Sequence, residues 1–360
     1  MKYLQYLLLV TLLVSVSCSE DDLQLPGQFE TGVFVINEGN FGVGNGSLSY
    51  IDSDGTIAQQ VFSSANGGLD LGDVPQSMHV PDADLVGSDF VDQGFIVVNN
   101  SNTVEVVNMK TLEREYTISD VASPRYITSY AGRAYITEWV GFGQLGRVSE
   151  LWLASGTVTH QHEVGELPEQ LLVHRDQLYV SNNGSGTVSI FDRLAFSPET
   201  EDQATLSLAK TIEVGDAPGA LMVIGDDVWV VCAGGFDEGF NPLGNGSLVR
   251  INRDNQVDQT VSLDMNISSK AARNDDGSRI YFYAGDHIHY LSTAQQQVSS
   301  LTTVDGALFP YGIGFNDGEI WLADAQTFVS SSLIRVFDES GVEVATYSGD
   351  IGSNGFLFRN

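Results

Sequence analysis

Cysteine is almost missing from this chain. Cys18 and Cys232 are the whole supply in 360 residues, and Cys18 lies ahead of the folded part, which is therefore expected to have no internal disulfide and to rest on its core alone. Basic side chains are scarce too. Against 47 Asp and Glu stand only 16 Lys and Arg, and the resulting charge of −31 repels polyphosphate backbones, which argues against nucleic acid as a partner. After the leader no segment approaches the roughly eighteen uninterrupted apolar residues of a membrane helix, so none is expected in the mature chain. Hydrolase and thiol-redox signatures are missing as well: there is no GxSxG elbow with a Ser-His-Asp order, and no Cys-x-x-Cys pair. Neighbouring carboxylates such as Asp21 with Asp22, or Asp226 with Asp227, carry little catalytic information in so acidic a chain. The expectation is therefore a protein that is not an enzyme and carries no catalytic cofactor or metal. An oxidoreductase of the quinoprotein kind stays open, because its site would be assembled from distant segments.

What is present begins with MKYLQYLLLVTLLVSVS, a basic residue followed by an apolar run and small residues, which reads as a signal peptide over residues 1–17. Cys18 then stands where a lipoprotein is cut and lipidated, and the acidic stretch 18–28 reads as a surface tether for a folded domain over 29–360. Membrane attachment is expected through that lipid alone.

A seven-residue apolar-then-polar pattern recurs seven times: VFVINEG, FIVVNNS, AYITEWV, LYVSNNG, VWVVCAG, IYFYAGD and IWLADAQ, starting at Val33, Phe95, Ala134, Leu178, Val228, Ile280 and Ile320. Each copy precedes a second short run rich in β-branched and aromatic residues, so both are strands. A third element, anchored by Pro75, Pro124, Pro168, Pro218 and Pro310, with ISSKAA in the same place near Ser268, precedes most copies. Its spacing is that of a four-stranded propeller blade, roughly 40 to 50 residues. The first copy lacks it, but the C-terminal GDIGSNGFLF has its pattern. The prediction is an all-β, seven-bladed propeller of four-stranded blades, in which the C-terminal strand closes blade one and no sheet edge is left open. The glycine-rich GVGNGS at Gly42–Ser47 has the look of a phosphate loop, yet it leads into a strand and returns as PLGNGSLVRIN, so it is a hairpin tip.

In such blades the proline elements and the loops between second and third strands share one face. That face collects Asn37, Glu38, Asn40, Phe41, Asn99, Asn100, Arg125, Tyr126, Glu138, Trp139, Asn182, Asn183, Phe236, Tyr311 and Asp324, the candidate ligand-binding residues. Amides and aromatics dominate, and the loops after copies one, three, five and seven are long, so alternate blades raise walls around a recognition surface. Each residue also suits turn or packing duty. The histidine pairs HQH (His160, His162) and HIH (His287, His289) alternate along strands, but no third ligand converges on either, so cross-strand packing is expected. DEGFNPLGN at Asp237–Asn245 lacks the acidic alternation of a calcium loop, and Cys232 in VWVVC reads as a buried thiol.

Three segments, VFVINEGNFG…GSLSYID, NNSNTVEVVN and SPRYITSYAGRAYITEW, resemble the surface-exposed lipoprotein propellers of Bacteroidetes related to the YncE-like group. Cys18-Ser-Glu-Asp-Asp likewise resembles the export signal that sends such lipoproteins to the outer face of the outer membrane. Members of the group associated with TonB-dependent cobalamin receptors capture corrinoids at the cell surface and hand them on. The resemblance thus implies a cell-surface, lipid-anchored protein with a corrinoid ligand and a TonB-dependent receptor as partner. A non-catalytic adhesion, protein- or glycan-interaction propeller is the alternative that uses the same face.

Overall fold

Continuous apolar runs such as VFVI and FIVV bury both faces of the second strand of a blade, and each face finds a neighbouring blade. Phe34 and Ile36 pack with Met78, Ile96 and Val98 of the next blade, while Val33 and Val35 pack with Trp321, Ile334 and Val336 of the last. The computed structural model describes residues 29–82, 90, 92–193, 205–235 and 244–359. Seven four-stranded antiparallel sheets follow one another around a central channel. The innermost strands are Pro75–His79, Pro124–Tyr130, Pro168–His174, Pro218–Ile224, Ala271–Arg273, Pro310–Asn316 and Ser353–Arg359.

Ring closure is as the repeat predicts. Ser353–Arg359 pairs with Gly32–Asn37, which pairs in turn with Ser47–Asp52, so the two ends of the propeller share blade one. Phe356 and Phe358 from the closing strand meet Trp321 of blade seven edge-to-face, covering an edge that would otherwise be open. Blade one differs from its siblings on the outside. Its fourth strand is only Ile57–Ala58, and the chain turns there into a short helix, Val61–Ala65, whose Val61 and Phe62 are buried in place of further strand residues. Among the described residues no helix is long and apolar enough to cross a membrane.

The register carries a recurring irregularity. Just after each entry proline the innermost strand bulges, between Pro75 and Ser77, Pro124 and Ile127, Pro168 and Leu171, Pro218 and Leu221, and Pro310 and Gly312. The residue before four of these prolines, Val74, Ser123, Leu167 and Ala217, has φ of 44° to 60°. This sharp entry re-aims the next side chain into the channel mouth. Gly46 of the GVGNGS tip lies against the first of these corners, where a Cβ would stand 2.1 Å from Pro75 Cδ. The loop is a hairpin tip pressed onto the next blade.

Candidate functional site

The second strands of the blades all end on the proline face, and their last residues pair with the entry prolines. Asn37, Glu138, Asn182 and Asp324 occupy this one register position, opposite Ser353, Pro124, Pro168 and Pro310. All four are fully buried, which corrects their expected place on a ligand-binding surface. Asn37 Nδ2 donates to Ser49 Oγ at 2.9 Å, and its Oδ1 accepts from Ser353 Oγ at 2.6 Å. Asn182 Nδ2 reaches Thr187 and Ser189 at 3.0 and 2.9 Å. Glu138 accepts from Arg147 Nε and Ala122 N, each at 2.8 Å, and from Ser149 Oγ. Asp324 accepts the amides of Leu308, Phe309 and Gln326. These polar side chains hold hairpins together under the surface, where an unpaired group would cost about 1–3 kcal/mol.

The next position stitches blades. Asn99 Nδ2, Trp139 Nε1 and Asn183 Nδ2 donate to the carbonyls of Pro124, Pro168 and Pro218, the entry prolines of the following blades, at 3.0, 3.0 and 3.3 Å. The Trp139 indole hydrogen and one amide hydrogen of each asparagine are thereby spent on the ring. Asn100 is tied to Asp73, and Asn40 Nδ2 bridges to Phe328 O at 2.7 Å. Phe41 stands free, 80% exposed. Phe236 lies outside the described residues, as do Cys18 and most of the DEGFNPLGN stretch.

Arg125, Tyr126 and Tyr311 do converge, at the channel mouth. Arg125 and Tyr311 directly follow entry prolines, Tyr126 stands one place further on, and these two columns of the repeat bring Gln76, Glu169, Gly219, Lys270 and Asn354 beside them. Arg125 forks onto Glu169 at 3.0 and 3.3 Å, donates to Gln76 Oε1 at 2.5 Å and lies 4.1 Å over the Trp139 ring. Burial opposes the Arg125 charge, but Glu169 holds the guanidinium above its ordinary pKa. Lys270 Nζ donates to Asn354 O at 2.5 Å and sits 4.6 Å over the Tyr311 ring. Burial pushes its pKa down to about 8, with Glu38 pulling the other way. Tyr311 Oη donates to Glu38, and burial together with that carboxylate drives the phenol well above its ordinary pKa. At Gly219 the column has no side chain because a Cβ would meet Ser269 O at 2.4 Å.

Above this mouth opens a cavity of about 1010 Å³ spread over blades three to seven. Asn183, Asn266, Ser268, Ser269 and Lys270 supply polar wall and floor, and Phe142, Phe309 and Tyr311 supply aromatic wall. Phe309, Tyr311 and Phe328 form an edge-to-face cluster with centroids 4.8 to 5.8 Å apart, and Phe142 leans on Trp139 at 6.0 Å. Phe142 is 81% and Phe309 48% exposed, so the rim offers apolar rings to whatever enters. Such a site binds by area and orients by hydrogen bonds.

Lys270, Glu169, Gln76, Asn354 and Phe309 escape a reading that picks out conspicuous amides and aromatics. For all but Phe309, which precedes Pro310, the signal available was columnar: the residue one or two places after the anchor points into the same channel, whatever its type. Among the described residues no three His, Cys, Asp or Glu cluster as metal ligands. His162 bonds Glu150 at 2.8 Å and His289 stacks on Phe282 at 5.6 Å, so both serve packing and pairing.

Residues 31–347 match a family model described as a domain of unknown function, DUF5074. No curated protein matches. Among solved structures, the chain is similar to a quinoprotein alcohol dehydrogenase-like protein from Bacteroides thetaiotaomicron, with 14% identity and TM-score 0.64 over 92% of this chain and 79% of that one. It is also similar to a functionally unknown protein from Desulfotomaculum acetoxidans, at 11% identity and TM-score 0.66 over 91% and 98%. The periplasmic gluconolactonase of Pseudomonas aeruginosa aligns at 13% identity and TM-score 0.64 over 91% and 99%. At these identities the likeness is one of fold.

Proposed function

The chain belongs to the DUF5074 family, and we propose that it is a non-catalytic capture protein whose proline-face cavity takes a corrinoid. In this reading Cys18 is lipidated, the propeller stands on the outer surface of the outer membrane, and the ligand passes to a TonB-dependent receptor. One observation carries the binding part: a cavity of about 1010 Å³ combines exposed aromatic walls at Phe142 and Phe309 with a floor of amides, hydroxyls and one lysine. A broad amphipathic ring system edged by amides is the kind of molecule that uses both. Lipid attachment at Cys18 is compatible with this use of the face. Gly32 and Arg359 pair with each other at the end of blade one remote from the cavity. The resemblance of the opening and SPRYI segments to the YncE-like lipoproteins supplies the choice of corrinoid.

Gel filtration of the soluble protein starting at Asp21 with cyanocobalamin tests this directly. A red complex that co-elutes with protein is expected, with affinity then measured by calorimetry; micromolar protein that retains no corrinoid overturns the reading. A second reading, docking of a protein partner on the same face, is favoured by the exposed apolar residues Phe41, Val43, Leu308 and Val329 on adjoining loops of blades one and seven.

A further inference from the structure

After Lys2 the chain has only three lysines, Lys110, Lys210 and Lys270. Two are ordinary surface cations. Lys110 is exposed and pairs with Asp92 at 2.6 Å, and Lys210 is exposed and donates to Asn255 O at 2.6 Å. Lys270 differs. It lines the face cavity and also a smaller cavity of about 150 Å³ at the channel mouth, and among the described residues it makes no ion pair. Its Nζ has a carbonyl, Asn354 O at 2.5 Å, and a ring face, Tyr311 at 4.6 Å, while Glu38 is engaged by Tyr311 and Asn354 Nδ2. Burial and the neighbouring Arg125 charge work against the ammonium, Glu38 and Glu169 work for it, and the balance leaves its pKa at about 8.

We infer that Lys270 is a covalent site for aldehydes that enter the face cavity, which it holds as an imine. An amine freed of its proton by burial, beside a second cation and open to a cavity, is the arrangement that makes lysine a nucleophile toward carbonyl carbon. The step needs no other reagent. The nitrogen lone pair forms the C–N bond as the carbonyl pair moves onto oxygen, both nitrogen protons end on that oxygen, and the C–O bond breaks to release water. Charge in the mouth suits this chemistry: Arg125 and Lys270 stand against Glu169 and Glu38, so a neutral aldehyde adds none, and a protonated imine keeps the positive charge and one hydrogen for Asn354 O. The cavity favours a ring. Tyr311 and Phe309 offer aromatic surface, and Asn183, Ser268 and Ser269 offer hydrogen bonds to its substituents, so the class is an aromatic aldehyde with polar substituents. This goes beyond the corrinoid reading and does not depend on it.

The test traps the imine. The purified native chain in detergent micelles is incubated with pyridoxal at pH 7.5, reduced with cyanoborohydride, digested and read by mass spectrometry at the three lysines. About a quarter of Lys270 is free amine at that pH, against roughly one part in a thousand of an ordinary lysine. A less basic amine is also a weaker nucleophile, so Lys270 is expected to be labelled about tenfold faster than Lys110 and Lys210. In denaturant that preference is expected to vanish. Lys270→Arg keeps the charge and removes the reactive amine, and should leave only the slow labelling of the other two. Equal labelling of all three lysines in the native chain, or a Lys270 preference that persists in denaturant, overturns the inference. Both outcomes are read on the native sequence, so they decide even where Lys270→Arg melts early. Gel filtration with cyanocobalamin runs beside the labelling: preferential labelling without corrinoid retention upholds this site and overturns the corrinoid reading, and retention without preferential labelling does the reverse.

Discussion

Glu38 and Asn354, 316 residues apart, meet at 2.7 Å, where the Asn354 amide nitrogen donates to Glu38 Oε1. The same nitrogen donates to Pro75 O at 3.1 Å, so one buried side chain ties the closing strand to blades one and two. Glu38 in turn accepts from Tyr311 of blade seven, and the ring seam thereby becomes part of the channel mouth.

Loss of this tie should loosen the whole ring. Asn354→Ala leaves buried acceptors unpaired and is expected to cost about 2–3 kcal/mol, lowering the melting temperature by roughly 5 °C or more. Removal of residues 353–360 exposes the inner edge of Gly32–Asn37 and should abolish cooperative melting and promote aggregation on gel filtration. A truncated chain that melts as sharply as the intact one would show that closure is dispensable.

Rim aromatics should affect capture without affecting folding. Phe142 is 81% exposed, so Phe142→Ala is expected to leave the melting temperature within about 2 °C yet weaken ligand binding by about tenfold. Trp139→Phe separates the two duties of that residue: it keeps the ring under Arg125 and removes the bond to Pro168 O. Its main effect is expected on stability, read by thermal melting beside the binding isotherm.

Acid should weaken the fold partly through His79. Its Nε2 bonds Ser129 Oγ at 2.8 Å, and burial lowers its pKa from 6.5 to about 4. Between those values the unfolded chain binds the extra proton, so stability falls as pH drops through the window, by up to about 3 kcal/mol. His79→Gln is expected to flatten urea-derived stability between pH 6.5 and 4; an unchanged slope would place the acid sensitivity elsewhere.

Cys232 should be inert in the native state. It is fully buried beside Ser247, and burial pushes its thiol up to about 12. Ellman's reagent at pH 8 is expected to find no thiol in the soluble protein until denaturant is added, and rapid native labelling would contradict the packing.

Strands, blade number and ring closure were legible because each depends on local pattern. VFVINEG and its six relatives each open on an apolar run and end on polar or small residues, and the prolines recur at blade spacing, so hydrophobic burial on both faces leaves little choice of architecture. The helix at Val61–Ala65 was not legible: VFSS is compatible with strand, and only the packing of Phe62 beneath blade one selects the helical turn. Site residues were legible in place but not in duty. Asn99, Trp139 and Asn183 do stand on the expected face, yet whether their hydrogens meet a ligand or the next proline carbonyl depends on a blade whose distance no local pattern encodes.

The sequence by itself determined the periodic skeleton, since apolar alternation and turn residues act over a few positions. Only the tertiary structure decided which side chains are free. Asn37 and Asn40 are asparagines three residues apart, but one is sealed by Ser353 from the far end of the chain and the other is bound at the rim to Phe328. Lys270 and Tyr126, in blades six and three, gain their common cavity only when the ring closes around the channel, because the burial and hydrogen bonding that define them are supplied by residues distant in sequence.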